Sequence, residues 1–295
     1  MNTEWLRTVS HVLPDKTYIQ LQYFYHFHKL PNLKNPKTFN EKLQWLKLYD
    51  RNPLYTIMVD KVLAKEYVAS IIGEEHIIPT LGVWDRAEDI DFDALPEQFV
   101  LKTNHDSGGV VVCSDKKSLD REKTVNKLKK ALKKNGYWYG REWPYKNITP
   151  KVFAEKYMSN DSVNEEIGSL LSYKFYCFDG EPRFLYVGVD RIENGNKGEL
   201  LCTYYDTEWE QPPFNRPDHR TLPFLIDKPV CFNRMMSFSR QLSNQIPFAR
   251  VDLYEVSGEV FFSEITLCPG SGYSPFYPLE WERKIGDWIK IPEAK

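Results

Sequence analysis

The stretch Ala249-Arg-Val-Asp-Leu-Tyr-Glu-Val-Ser-Gly-Glu-Val-Phe-Phe-Ser-Glu-Ile-Thr-Leu-Cys-Pro-Gly-Ser-Gly272 reads as a β-hairpin with an acid on each strand, followed by a glycine-rich loop. Ser257-Gly258 is the turn signal. Strand alternation sends Val251, Leu253 and Glu255 one way and Asp252, Tyr254 and Val256 the other. On the return strand Glu264 and Thr266 share a face, so an antiparallel pairing can gather Asp252, Glu264 and Thr266 as three oxygen ligands. Hard Mg²⁺ is usually held by one or two carboxylates together with substrate phosphates. Taken alone, such a hairpin reads first as a half-solvated strand pair.

Three distant segments shift that balance. Phe99 to Lys102 is a short apolar strand ending in a lysine, and Val110 to Val112 begins another. Asp106-Ser-Gly-Gly109 between them is a loop whose N–H groups can cap phosphate oxygens, with Lys102 as point charge. As halves, these are equally a hairpin turn beside a solvated lysine. Val59-Asp-Lys-Val-Leu-Ala-Lys-Glu-Tyr-Val68 has helical spacing, with Asp60 placed to cap the helix start and Lys61 close by. A lysine there opposes the helix dipole unless an anion answers it. Lys151-Val-Phe-Ala-Glu-Lys-Tyr-Met158 is a strand, read either as an ordinary edge or as a hinge on an adenine edge through Glu155, Lys156 and Tyr157.

In this order the segments resemble an ATP-grasp enzyme. Lys102-Thr-Asn-His105, Glu142-Trp-Pro-Tyr-Lys-Asn147, Tyr173-Lys-Phe-Tyr-Cys-Phe-Asp-Gly-Glu-Pro182 and Cys268-Pro-Gly-Ser-Gly272 narrow the resemblance to the TupA-like branch of bacterial surface-polysaccharide loci. It extends from about Phe39 to the C-terminus. The resemblance implies an α+β fold in which two α/β subdomains clasp ATP, with a helical N-terminal extension. It implies Lys61 and Lys102 on the phosphates, with Ser107, Gly108 and Gly109 beside them, and Glu155, Lys156 and Tyr157 on the adenine. Lys174 stands at a ribose position where many relatives carry acids. Asp252, Glu264 and Thr266 match the metal ligands for two Mg²⁺ ions, with Thr266 replacing the usual asparagine. Arg250 matches the arginine that stabilises the transferred phosphoryl group, with Lys102 as second catalytic residue. Ser271, Gly272 and Tyr273 follow as acceptor-binding residues. The implied reaction joins a carboxylate to an amine through an acyl phosphate. Phosphorylation of a sugar hydroxyl is the alternative, and Asp91-Phe-Asp93 raises a nucleotide-sugar glycosyltransferase, although a solvated connector explains that acidic pair better.

Composition bounds the rest. At 295 residues and net charge −2, the chain can bury a substantial core and does not suit nucleic acid as its main partner. The lysines from Lys123 to Lys134 flank an apolar stripe of Val125, Leu128, Ala131 and Leu132, as on one solvated helix. Five cysteines show no Cys-x-x-Cys pair and read as reduced thiols. Without a signal-like start or a long apolar run, a cytoplasmic bacterial protein with no transmembrane segment is expected. The expected organisation is a helical region over 1–55, an N-terminal subdomain over 56–157 and a strand-rich C-terminal subdomain over 158–295 that ends in a helix over Leu279–Ile289. Tyr137-Trp-Tyr-Gly-Arg-Glu-Trp143 reads evenly as a sugar-stacking lid or as junction packing.

Overall fold

The computed structural model describes residues 11–106, 108–159, 170–193 and 196–292, with residues 190–193 and 196–199 described by their backbone alone. Its helices are α1 (Asp15–Phe27), α2 (Phe39–Tyr49), α3 (Leu54–Val59), α4 (Leu63–Ile72), α5 (Arg121–Leu132), α6 (Tyr137–Gly140), α7 (Phe232–Leu242) and α8 (Glu280–Trp288). Strands β1 (Thr80–Trp84), β2 (Phe99–Thr103), β3 (Val110–Cys113) and β4 (Val152–Lys156) form an antiparallel sheet in the order β1-β4-β2-β3. Strands β5 (Ser172–Phe178), β6 (Glu181–Glu193), β7 (Asn196–Asp206), β8 (Ala249–Val256) and β9 (Glu259–Thr266) form a second, in the order β7-β6-β5-β8-β9.

The small sheet has its own core. Phe99, Leu101 and Ala154 pack with Leu128 of α5, so the lysines of that helix lie on its outer side as its apolar stripe predicts. The larger sheet is covered on both faces. Phe175, Val251, Leu253 and Ile265 face α3, α4 and α7. Tyr176, Phe178, Phe184 and Phe248 meet Phe39 and Leu43 of α2, Phe276, and Ile285 of α8. Thr38 caps α2 reciprocally with Glu41, which fixes where that helix begins.

Packing cuts across the expected boundaries. Helix α2 shares a core with the C-terminal sheet, and so do α3 and α4, rather than forming an N-terminal extension and part of the small-sheet unit. Helix α7 interrupts the strand-rich C-terminal region. Its buried Phe232, Met235, Met236, Ser239 and Leu242 follow helical spacing between two strands.

The opening hairpin forms as its residues dictate. Ser257 (φ 52°) and Gly258 (φ 78°) both take left-handed conformations, as a two-residue primed turn requires. The register shifts between the pairs Asp252↔Glu264 and Leu253↔Phe262, leaving Ser263 as the extra residue of a bulge. Val260 and Phe262 are in phase with each other but out of phase with Ile265. The bulge allows all three to enter one core while Glu264 stays opposite Asp252.

Candidate active site

The strand pairing aligns two short rows on one face of the large sheet. Lys174 lies across from Asp252, which lies across from Glu264; Tyr176, Arg250 and Thr266 form the next row. Asp252 is fully buried. Its carboxylate accepts from Lys174 Nζ (2.7 Å), Arg250 Nε (2.7 Å) and Arg250 NH2 (2.7 Å). That same NH2 also lies 3.3 Å from Glu264 Oε1 and 3.0 Å from Thr266 Oγ1. One cationic nitrogen thus stands where the three oxygens expected to bind metal converge. Burial, the largest single influence, works to deprotonate Arg250 and Lys174, but Asp252 and Tyr186 act together against it, and both groups are held above their ordinary values. Two carboxylates and a hydroxyl around a cation fit Mg²⁺, which takes its remaining ligands from phosphate and water.

The lysines converge from the other side. Asp60 Oδ1 accepts from the N–H groups of Val62 (2.9 Å) and Leu63 (3.3 Å), capping α4 as its position predicts. Its other oxygen takes the Asn104 amide at 2.9 Å. Asn104 also accepts the Lys61 N–H on its carbonyl at 3.0 Å, which locks the lysine beside the glycine loop. Lys61 Nζ reaches Asp106 O (2.8 Å) and lies 3.6 Å from Glu264 Oε2, the anion its place near a helix start calls for. Lys102 Nζ lies 2.5 Å from Glu155, whose other oxygen is 2.7 Å from Lys65. Burial alone would lower Lys102, but Glu155, then Tyr254, and also Glu264 hold it above the usual lysine range. Burial would raise Glu155, and Lys102 and Lys65 bring it down instead.

Several assignments change. The Glu155 carboxylate is engaged by two lysines rather than left for an adenine amine, and the Lys156 N–H is bonded to Pro79 O at 3.0 Å. Tyr157 follows β4 half-buried. Lys174, expected at the ribose, holds Asp252. The Gly109 N–H donates to Asp106 Oδ1 (2.9 Å) and is not free for phosphate, while Gly108 is exposed. Ser107 lies outside the described residues.

The acceptor loop is held from outside the sheet. Gly270, Ser271 and Gly272 all have positive φ (59°, 52° and 67°). Helix α2 fixes them: Gln44 Nε2 donates to the Ser271 and Gly272 carbonyls (3.2 and 2.7 Å), and Lys47 Nζ to those of Gly140 and Ser271 (2.6 and 2.9 Å). Ser271 Oγ donates to Glu142 at 2.5 Å, and Tyr273 is buried beneath Lys47 with His26 stacked on it. The Ser271 hydroxyl and Tyr273 ring therefore brace the loop. The aromatic stretch is junction packing, with Tyr137 bonded to Asp15 and Arg141 under Tyr18, Tyr137 and Trp138. Sequence reasoning missed Gln44, Lys47, Lys65 and Glu142, because no local pattern marks a side chain whose partner lies across the fold. Asp91 caps its own turn and exposed Asp93 pairs with Arg121, as a connector would. All five cysteines are buried free thiols, and burial pushes Cys268 upward, away from a nucleophile.

The TupA-like ATPgrasp family model matches residues 41–290. The chain belongs to that family. The two antiparallel sheets with their helices are its ATP-grasp fold. No curated protein sequence gives a significant match. Among solved structures, D-alanine–D-alanine ligase from Bacillus anthracis is 18% identical with a TM-score of 0.42, over 79% of this chain and 66% of that one. Phosphoribosylamine–glycine ligase from Thermotoga maritima is 14% identical with a TM-score of 0.41, over 74% and 50%. The ATP-grasp ligase PsnB, in complex with minimal precursor, Mg and ADP, is 10% identical with a TM-score of 0.38, over 77% and 57%. The TupA-like chain thus spans less than two thirds of these proteins' lengths, and likenesses this distant say nothing about its substrates. Among the described residues, no helix is long and apolar enough to cross a membrane.

Proposed function

We propose that this TupA-like chain is a cytoplasmic, ATP-dependent carboxylate–amine ligase acting on a bacterial surface polysaccharide or its precursor, with an amino acid or amino sugar as one partner. ATP-grasp membership supports the nucleotide, and the TupA-like branch supports the surface-glycan setting. The observation that carries the chemistry is the convergence of Asp252, Glu264 and Thr266 on a single cationic nitrogen, with Lys61 standing between the glycine loop and Glu264.

Mg²⁺ held by Asp252, Glu264 and Thr266 would supply charge neutralisation of the ATP phosphates. Lys61 and Lys102 hold the phosphate oxygens, and Glu155 with Lys65 keeps Lys102 charged and aimed. A substrate carboxylate oxygen attacks the γ-phosphorus, the bond to the β–γ bridging oxygen breaks, and ADP departs. Arg250 stabilises the charge that develops on the transferred group. The amine nitrogen then attacks the acyl carbon, phosphate leaves with its bonding pair, and the nitrogen loses a proton. Gln44, Lys47 and Glu142 position the loop beside these steps.

Hydroxylamine trapping tests this. With Mg-ATP and a panel of uronic acids and amino acids, the wild type forms a hydroxamate, and Glu264→Gln lowers its rate by about 10²–10³-fold. A phosphorylated sugar with ADP and no hydroxamate would instead make the protein a kinase.

A further inference from the structure

The far end of the same sheet face is closed by residues 211–221. Asn215 exchanges backbone hydrogen bonds with Tyr277 (2.9 and 2.8 Å), and Cys202 N donates to Arg220 O at 2.9 Å, so the segment is tied down at both sides. Beneath it lies a cavity of about 110 Å³, lined by Tyr204, Gln211, Asn215, Arg216, His219 and Thr221 among others. Arg216 is only 3% exposed and Tyr204 6%. Arg216 NH1 donates to Tyr176 OH at 3.3 Å and NH2 to Asp218 at 2.9 Å. Its Nε and the Tyr204 hydroxyl are buried with no hydrogen-bond partner. Buried polar groups are nearly always paired. A guanidinium Nε can only donate, so a partner for it must offer an acceptor.

The cavity continues the reaction site. Tyr204 lies across from Tyr186, and Tyr186 across from Lys174, in the row that ends at Asp252 and Glu264. Tyr176, which holds Arg216, lies opposite Arg250. Arg216 also borders the acceptor loop: a Cβ on Gly270, which has φ 59°, would lie 2.7 Å from Arg216 NH2. Tyr204 on β7 is three strand spacings, on the order of 15 Å, from Asp252 on β8, but Arg216 reaches inward to Tyr176 on β5, one spacing, on the order of 5 Å, from Arg250. Asp218 already pairs with the Arg216 NH2; an ammonium has no lone pair to accept from Nε, whereas a carboxylate would take a charge-assisted hydrogen bond from it.

We propose that this cavity seats a second carboxylate of the acid substrate, remote from the one that reacts, with Arg216 and Tyr204 as its binding residues. The proposal rests on the ligase reading above. It makes the acid a diacid or an acid of like reach, with the cavity selecting it.

The test compares succinate, glutarate and adipate with acetate, propionate and butyrate in the hydroxamate assay. Wild type, Arg216→Met, Arg216→Lys and Tyr204→Phe are all checked for wild-type unfolding temperatures. Wild type favours at least one diacid over the monoacids by about tenfold or more. Arg216→Met raises KM for that diacid about 10–100-fold and leaves KM for ATP within twofold. Tyr204→Phe raises the diacid KM about 3–10-fold. If Arg216→Met does not fold, Arg216→Lys and Tyr204→Phe decide the matter. In parallel, saturation-transfer NMR with glutarate and Mg-ADP reads binding without chemistry. Glutarate bound by wild type and lost in the Arg216 variants, with no hydroxamate from any acid, sinks the ligase reading and keeps the cavity. Equal treatment of diacids and monoacids by wild type, a preference that survives in Arg216→Met, or no glutarate bound at all would overturn the proposal.

Discussion

Lys47 of α2 is 2% exposed and carries three contacts from its ammonium. Burial lowers it to about 8, with Cys268 and Glu142 only partly opposing. Its folded value thus lies below that of the unfolded chain, where an ordinary lysine titrates near 10.5. At a pH below about 8 both states hold the proton, and the cost of burying the charge is fully felt. Between about 8 and 10.5 the unfolded state binds more protons, so stability rises with pH. Relative to Lys47→Met, the wild type should gain on the order of 1–2 kcal/mol from pH 8 to 10, measured by denaturant unfolding at each pH. A flat difference would mean that Lys47 titrates as an exposed lysine does. The alignment of Asp252, Glu264 and Thr266 was legible at this scale from alternation and a turn signal, whereas Arg250 was marked only by the family resemblance. Lys47 was not legible, because its partners are carbonyls of residues distant in the chain.

Helices α2 and α8 show why element boundaries were read better than element partners. The closing helix, expected over Leu279–Ile289, lies at Glu280–Trp288, because apolar spacing is a local signal, and the Thr38–Glu41 capping box that starts α2 is equally local. Their mutual crossing is not local. Gly286 of α8 sits where a Cβ would lie 2.4 Å from Lys37 O and 2.7 Å from Phe39 N, so the helix meets the start of α2 at backbone distance. Gly286→Ala should cost about 1–3 kcal/mol and lower the unfolding temperature by several degrees. The hairpin holds a similar lesson. Val260 and Phe262 against Ile265 break a simple alternation, and the bulge at Ser263 is the physical resolution. A one-residue phase change of this kind is visible in the sequence once looked for. Helix α7 escaped notice because its face mixes Met, Ser and Phe rather than an aliphatic stripe.

For the whole molecule, the two sheets and the order of the motif segments were legible, and the assembly around them was not. Where α3 and α4 pack is decided by the shared core with β5, β8 and β9, which no window of sequence contains. Lys61, which leads into α4, thereby stands between the glycine loop and Glu264. Binding of Mg-ATP across these parts should raise the unfolding temperature on the order of 5 °C at about 100 times its Kd. Scanning calorimetry should show no such shift with a nucleotide sugar, which also separates the ligase from a glycosyltransferase.

The central claim is that a substrate carboxylate attacks the γ-phosphate. The most direct measurement follows an ¹⁸O label from that carboxylate during amide formation, with inorganic phosphate read by mass spectrometry. The account predicts that each phosphate released carries one labelled oxygen from the acid and that the amide keeps the other. Unlabelled phosphate formed alongside amide would contradict it, because the acid would then never have been joined to phosphorus.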